Sequence, residues 1–174
     1  GLAYVQGRIA GDHGSPPWSA MNIYQNTFVV AGGGRHPMPT LIAHAKPGFP
    51  LGLLNNVFLT SAAIPDFARL KFPAELRTDG NLYWQPGQDP VKAAALLDRF
   101  RASPAFEESK KSYPPGFESA SRVADPGLVA ADLAADAKND YRLKPGSPAV
   151  DAGAEVPAEW PDPLRQADKG KPDV

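Results

Sequence analysis

Met21-Asn22-Ile23-Tyr24-Gln25-Asn26-Thr27-Phe28-Val29-Val30, Leu51-Gly52-Leu53-Leu54-Asn55-Asn56-Val57-Phe58-Leu59-Thr60 and Leu76-Arg77-Thr78-Asp79-Gly80-Asn81-Leu82-Tyr83-Trp84 share one pattern, an aromatic two residues after an Asn. The Asn residues at 26, 56 and 81 stand 30 and 25 residues apart. A period of roughly 20 to 30 residues, with a strand, a turn and a strand in each, suits a β-solenoid, whose coils bury their apolar sides against one another. Asn tolerates the left-handed backbone and hydrogen-bonds within a turn, which suits the tight corner between two strands. Phe28, Phe58 and Tyr83 are then expected to point inward and stack. A two-faced β-sandwich is the rival, since short strands bounded by Gly and Pro describe it too. It does not require the Asn-x-aromatic recurrence.

Two long excursions separate these units, Ala31 to Pro39 and Ser61 to Pro73. Loops of this kind commonly form the binding surface of a repeat protein. After Trp84 the periodicity changes. Asp89 reads as an N-cap and Pro90 as the first helical residue, and Ala93, Leu96, Leu97 and Phe100 give one apolar face before Ser103. Glu107-Glu108-Ser109-Lys110-Lys111 reads as a solvated helix face or loop. The division expected is residues 1–88 as repeat units with long loops and 89–174 as the helix and a C-terminal cap of the same domain, with Leu128, Tyr141, Leu143 and Val150 in the cap core.

Composition narrows the function. Hydrophobic residues make up 43% and charged residues 21%, which is incompatible with wholesale disorder. A formal net charge of -1 supplies no field to attract nucleic acid, so no nucleic-acid partner is expected. The absence of Cys removes disulfides, thiolate nucleophiles and thiolate zinc sites. No apolar run approaches the roughly 20 residues that span a bilayer, so no membrane span is expected. Gly1 to Gln6 lack an initiator Met and the basic start of a signal peptide, and the chain reads as an internal or processed piece.

Asp125-Pro126-Gly127-Leu128-Val129, followed by Asp140-Tyr141-Arg142-Leu143-Lys144-Pro145-Gly146-Ser147-Pro148-Ala149-Val150-Asp151-Ala152-Gly153, resembles the C-terminal signature of bacterial right-handed parallel β-helix proteins of the pectate-lyase-like superfamily. The segment from Trp18 to Val29 resembles a coil of the same group, and Asp168 to Val174 resembles the start of its closing segment. The resemblance implies an all-β fold, a right-handed parallel β-helix whose last coils carry a helix and an irregular cap. It also implies an extracellular, cell-surface or periplasmic setting, and partners that are a polysaccharide and upstream coils of the same parent protein, in one chain or as a separate one. The group includes lyases, hydrolases, epimerases and proteins of no assigned activity, so two readings stay open: a chain that binds and cleaves a polysaccharide as lyase or glycoside hydrolase, and a non-catalytic surface, adhesion or assembly module.

The catalytic candidates lie in loops. Asp12 and His13, with Arg8 nearby, bring together a carboxylate, an imidazole and a guanidinium; a cation neutralises a uronate carboxylate and a base removes the adjacent proton. The plain alternative is a polar turn before Trp18. Arg35 and His36 follow three glycines, with His44 and Lys46 on the next segment, and these converge on a groove if both excursions leave from one face. Arg8, Trp18, His44 and Lys46 are the substrate-binding candidates. Tyr24, Tyr83 and Trp84 stack on sugars or, as large aromatics more often do, fill the core. No cofactor is indicated: no His-Glu-x-x-His spacing occurs, and although calcium stays open, with Asp79 and Asp89 as ligands, these two fall short of the roughly six to eight oxygens it takes and read equally as a turn and an N-cap.

Overall fold

The computed structural model describes residues 20–30, 50–61, 63–69, 72, 75–134, 138–163, 165–166 and 170–174 of the chain. Each repeat folds as two short strands meeting at a corner: β1 Met21–Tyr24 and β2 Thr27–Val30, β3 Leu51–Leu54 and β4 Val57–Thr60, β5 Leu76–Asp79 and β6 Leu82–Trp84. The first strand of each unit enters a parallel sheet of order β1-β3-β5. The second strands form a parallel sheet of order β2-β4-β6, extended by β7 at Arg122–Val123.

The corners show how the Asn residues work. The left-handed residue is the one before each repeated Asn: Gln25, Asn55 and Gly80 have φ of 54°, 55° and 63°. Asn26, Asn56 and Asn81 themselves are free to bridge neighbouring units with their side chains. Asn56 Oδ1 accepts from Asn26 N at 3.2 Å, and Asn81 Oδ1 accepts from Asn56 N at 3.0 Å. The next acceptor in the column is Ser121 Oγ, 2.8 Å from Asn81 N. Ser121-Arg122-Val123 is thus a fourth, worn copy of the unit, with Val123 paired to Tyr83.

Side-chain alternation in β1, β3 and β5 sends Leu51, Leu53 and Leu76 into the main core, with Met21 and Ile23 packed against it. From the second sheet Phe28, Phe58 and Tyr83 stack at centroid separations of 5.1 and 5.2 Å, as the spacing predicts. Each such pair adds about 0.5–1.5 kcal/mol beyond the burial of its rings.

Helix α1, Pro90–Arg101, starts where expected: Asp89 Oδ1 accepts from Val91 N at 3.0 Å and Lys92 N at 3.3 Å. Its buried side, Ala93, Leu97 and Phe100, joins the main core. A shorter helix, α2, Pro104–Ser109, is capped by Ser103 and contributes Phe106, which meets Phe100 edge-on at 5.8 Å. Lys110 and Lys111 pair with Glu107 and Glu108 on the exposed side.

These elements overturn the expectation of an all-β right-handed parallel β-helix. The described residues form a mixed α/β arrangement: two open parallel sheets of three and four strands, two α-helices and a small antiparallel pair, with no closure of the sheets into a solenoid. The physical reason lies in residues 90–117. Their apolar side chains share one cluster with Leu51, Phe58 and Tyr83, so helices wall the core itself, where the expectation was a helix and cap beside a stack of coils. The period of 3.6 was legible there; that the helices wall the core was not.

The C-terminal third covers the outer faces of both sheets. Strands β8 Leu128–Ala130 and β9 Asp140–Leu143 form an antiparallel ribbon. Leu143, Ala149 and Val174 pack with Val57 and Leu82, while Val156 and Trp160 pack with Leu54 and Tyr24. Leu128 is buried, but Tyr141 and Val150 are each 43% exposed and do not serve the core. Ala154 grips the second corner: its N donates to Asn55 Oδ1 at 2.7 Å and its carbonyl accepts from Asn55 Nδ2 at 2.8 Å. Among the described residues no helix is long and apolar enough to cross a membrane.

Candidate functional site

The outward row of the three-stranded sheet is set by its register, which aligns Asn22, Gly52 and Arg77 on neighbouring strands. Gly52 is the low point of this row. The segment from Val156 to Pro161 crosses the same face and lays Trp160 onto it. A Cβ built on Gly52 would stand 2.7 Å from Trp160 Cζ2, and closer still to Cη2, so only Gly leaves the indole its seat. Trp160 is held from the other side by Tyr24, ring to ring at 5.2 Å, while the Tyr24 hydroxyl donates to the Pro161 carbonyl. Arg165 Nη2 fastens the turn by donating to the carbonyls of Pro157 and Trp160 at 2.9 and 3.0 Å.

Beside Trp160 opens a cleft of about 350 Å³ with Asn22, Gly52, Glu75, Arg77, Ser112 and Glu159 in its lining. Arg77 Nη1 lies 3.6 Å from Glu159 Oε1, with the two side chains 49% and 67% exposed. An ion pair this open to water contributes no more than about 1 kcal/mol, so a ligand can replace either partner at little cost. The lining thus brings an indole, an amide, a guanidinium and carboxylates onto one concave surface. Such a set binds polar ligands that have an apolar side.

A second polar cluster is closed to solvent. Glu118, fully buried, accepts from Thr78 Oγ1 and, at 3.1 Å, from the Tyr83 hydroxyl. Its neighbour Asp79 accepts from Ala120 N at 2.6 Å and from Ser119 Oγ at 2.9 Å. Arg101 covers the cluster by donating to the carbonyls of Glu118 and Ser121 at 2.7 and 2.5 Å. Burial pushes the Glu118 carboxyl above its ordinary value, and burial together with the Glu118 carboxylate pushes the Tyr83 hydroxyl up. With Asp79 2% and Glu118 0% exposed, the cluster is buried and terminates the Asn column.

The sequence-predicted candidates Arg8, Asp12, His13, Trp18, Arg35, His36, His44 and Lys46 all lie outside the described residues. Of the aromatics, Tyr83 is buried in the stack, Trp84 packs beside Val57 and Leu82, and Tyr24 supports Trp160. The cleft residues Asn22, Arg77, Glu159 and Trp160 were not anticipated. Aligning the repeats by their Asn residues would have placed Asn22, Gly52 and Arg77 in one row, with a Gly where a strand residue is expected. No local pattern marks Glu159 and Trp160. Among the described residues no group of three or more His, Cys, Asp or Glu side chains could hold a metal ion. Comparison with models of protein families, with curated proteins and with solved structures finds no match to this chain.

Proposed function

We propose that this chain binds a polysaccharide in the cleft on the outer face of the three-stranded sheet. The observation that carries the reading is Trp160 seated on Gly52 with Asn22, Arg77 and Glu159 on the same concave surface. A pyranose ring has one face of C–H bonds and a rim of hydroxyls; an aromatic surface suits the first, and an amide, a guanidinium and a carboxylate suit the second. The C-terminal resemblance supports the same ligand class and an extracellular or surface setting. On this reading Asp12, His13, Arg35 and His36 are the candidates for cleavage by β-elimination or hydrolysis, and Arg8, Trp18, His44 and Lys46 for further substrate contacts.

A second reading, a non-catalytic binding or assembly module, is favoured by one observation. The buried carboxylates Asp79 and Glu118 are engaged in hydrogen bonds that hold the fold, and the cleft's Arg77 is paired with Glu159. Titration calorimetry of the chain against a panel of neutral, acidic and amino polysaccharides tests binding, with Trp160→Ala expected to abolish it. Assays for unsaturated product and new reducing ends on the same panel separate the two readings. Absence of binding across the panel would sink both carbohydrate roles.

A further inference from the structure

We infer that residues 117–121, the connection from the helices to the fourth repeat unit, form a proton-operated latch: they sit on β5 and β6 while Glu118 is a neutral acid and let go when it becomes an anion. The seat is built of polar contacts. Glu118 N donates to the Thr78 carbonyl at 2.7 Å, Ala120 N to Asp79 Oδ1 at 2.6 Å, and Ser121 Oγ accepts from Asn81 N at 2.8 Å. Glu118 takes the left-handed backbone, with φ of 56°, which a residue with a side chain keeps only where its surroundings hold it.

Two carboxyls lie under this connection, and their partners differ in kind. Asp79 accepts from two N–H groups, Gly80 N at 2.8 Å and Ala120 N at 2.6 Å, and from the hydroxyls of Ser119 and Tyr113 at 2.9 and 3.3 Å. An N–H can only donate, so this setting favours Asp79 as the anion. Glu118 instead faces the hydroxyls of Thr78 and Tyr83, with Asn81 Nδ2 at 3.5 Å. A hydroxyl accepts as well as donates, so Glu118 can keep a proton and share it with Thr78 Oγ1. From α1 comes Arg101, but its guanidinium is taken up by the carbonyls of Glu118 and Ser121 and by Asp98 at 3.6 Å. Tyr83 from β6 and Tyr113 from the loop after α2 stay neutral, their hydroxyls pushed up chiefly by burial. A second buried anion beside Asp79 thus meets no free cation, and the outward swing of residues 117–121 is its way to water. Burial moves the Glu118 carboxyl above its ordinary value in the same sense.

The test follows amide hydrogen exchange of the full chain by NMR from pH 4.5 upward, corrected for the intrinsic exchange rate. The latch is fully closed by this proton below the ordinary carboxyl value of 4.5 and loses that hold as pH rises through the raised value. Opening that releases one proton grows by up to about tenfold per pH unit between the two. Protection of the Glu118, Ala120 and Arg122 amides is expected to fall at that rate, and to lie below that of the Leu82 amide, which is bonded to the Asn56 carbonyl, at every pH. Glu118→Gln should flatten the fall. Protection equal to that of Leu82 throughout, a flat profile in the unaltered chain, or an unchanged slope in Glu118→Gln overturns the latch. Should the variant fail to fold, NMR titration of the Glu118 carboxyl carbon in the unaltered chain decides: a midpoint above 4.5 supports the latch, and one at or below it overturns it.

Discussion

Replacing Asn56 by Ala tests whether the column of Asn side chains holds the repeats together. The Asn56 side chain is completely buried, and its Oδ1 accepts from Asn26 N at 3.2 Å while its Nδ2 donates to the Ile23 carbonyl at 2.9 Å and to Asn81 Oδ1 at 3.1 Å. Truncation leaves the Asn26 N–H and the Ile23 carbonyl without these partners, whereas Asn81 Oδ1 keeps its bond from Asn56 N at 3.0 Å. Each buried polar group left unsatisfied costs about 1–3 kcal/mol, and Asn26 is exposed enough for water to reach, so the expected loss is about 2–4 kcal/mol. Asn26→Ala, at the exposed end of the column, should cost less than about 1 kcal/mol by the same argument. Asn81→Ala, whose Nδ2 also serves the Leu53 carbonyl and Thr78, should cost at least as much as Asn56→Ala. Urea unfolding followed by circular dichroism gives the three values. Equal losses at 26, 56 and 81, or the largest loss at 26, would refute the column as a source of stability.

Gly52→Ala is expected to lift Trp160 off the sheet and destabilise the protein by roughly 2–4 kcal/mol, the range for losing a large buried side chain's packing. A rise in the accessibility of Trp160 to a soluble fluorescence quencher checks it, read in a background where the other tryptophans, Trp18 and Trp84, are Phe. Glu118→Gln addresses the buried carboxyl. Because burial raises its folded value, the folded chain keeps a proton that the unfolded chain has released, so stability falls as pH rises from the ordinary carboxyl value of 4.5 toward the raised one. The neutral variant should flatten that fall in urea midpoints measured through the window; an unchanged slope would show that Glu118 is not its source.

The Asn-x-aromatic spacing was enough to place Phe28, Phe58 and Tyr83 in one stack, because a ladder repeats its chemistry at each step. The fourth step was illegible: Ser121 stands where Asn would, Val123 stands where an aromatic would, and 40 residues separate Ser121 from Asn81. The insertion of α1 and α2 in that gap is also what defeated the all-β expectation, since the apolar face of a helix does not say which surface it will cover. For the site, Asn22, Gly52 and Arg77 were within reach of a repeat alignment. Glu159 and Trp160 were not, because only the fit of an indole into a glycine-sized gap joins them to that row.

The hydrogen bonds of Asn55 with Ala154 have a kinetic consequence. They span 99 residues, against 25 for those of Asn56 with Asn81. A loop about four times longer costs about 1.2 kcal/mol more to close, so neighbouring repeats pair before the C-terminal segment returns to them. The Trp160 wall is then the last part to assemble, and contacts made after the folding barrier govern the rate of unfolding more than that of folding. The cleft comes into being only when the long loop that returns the C-terminal segment to the sheet has closed, and reopening that loop dismantles it.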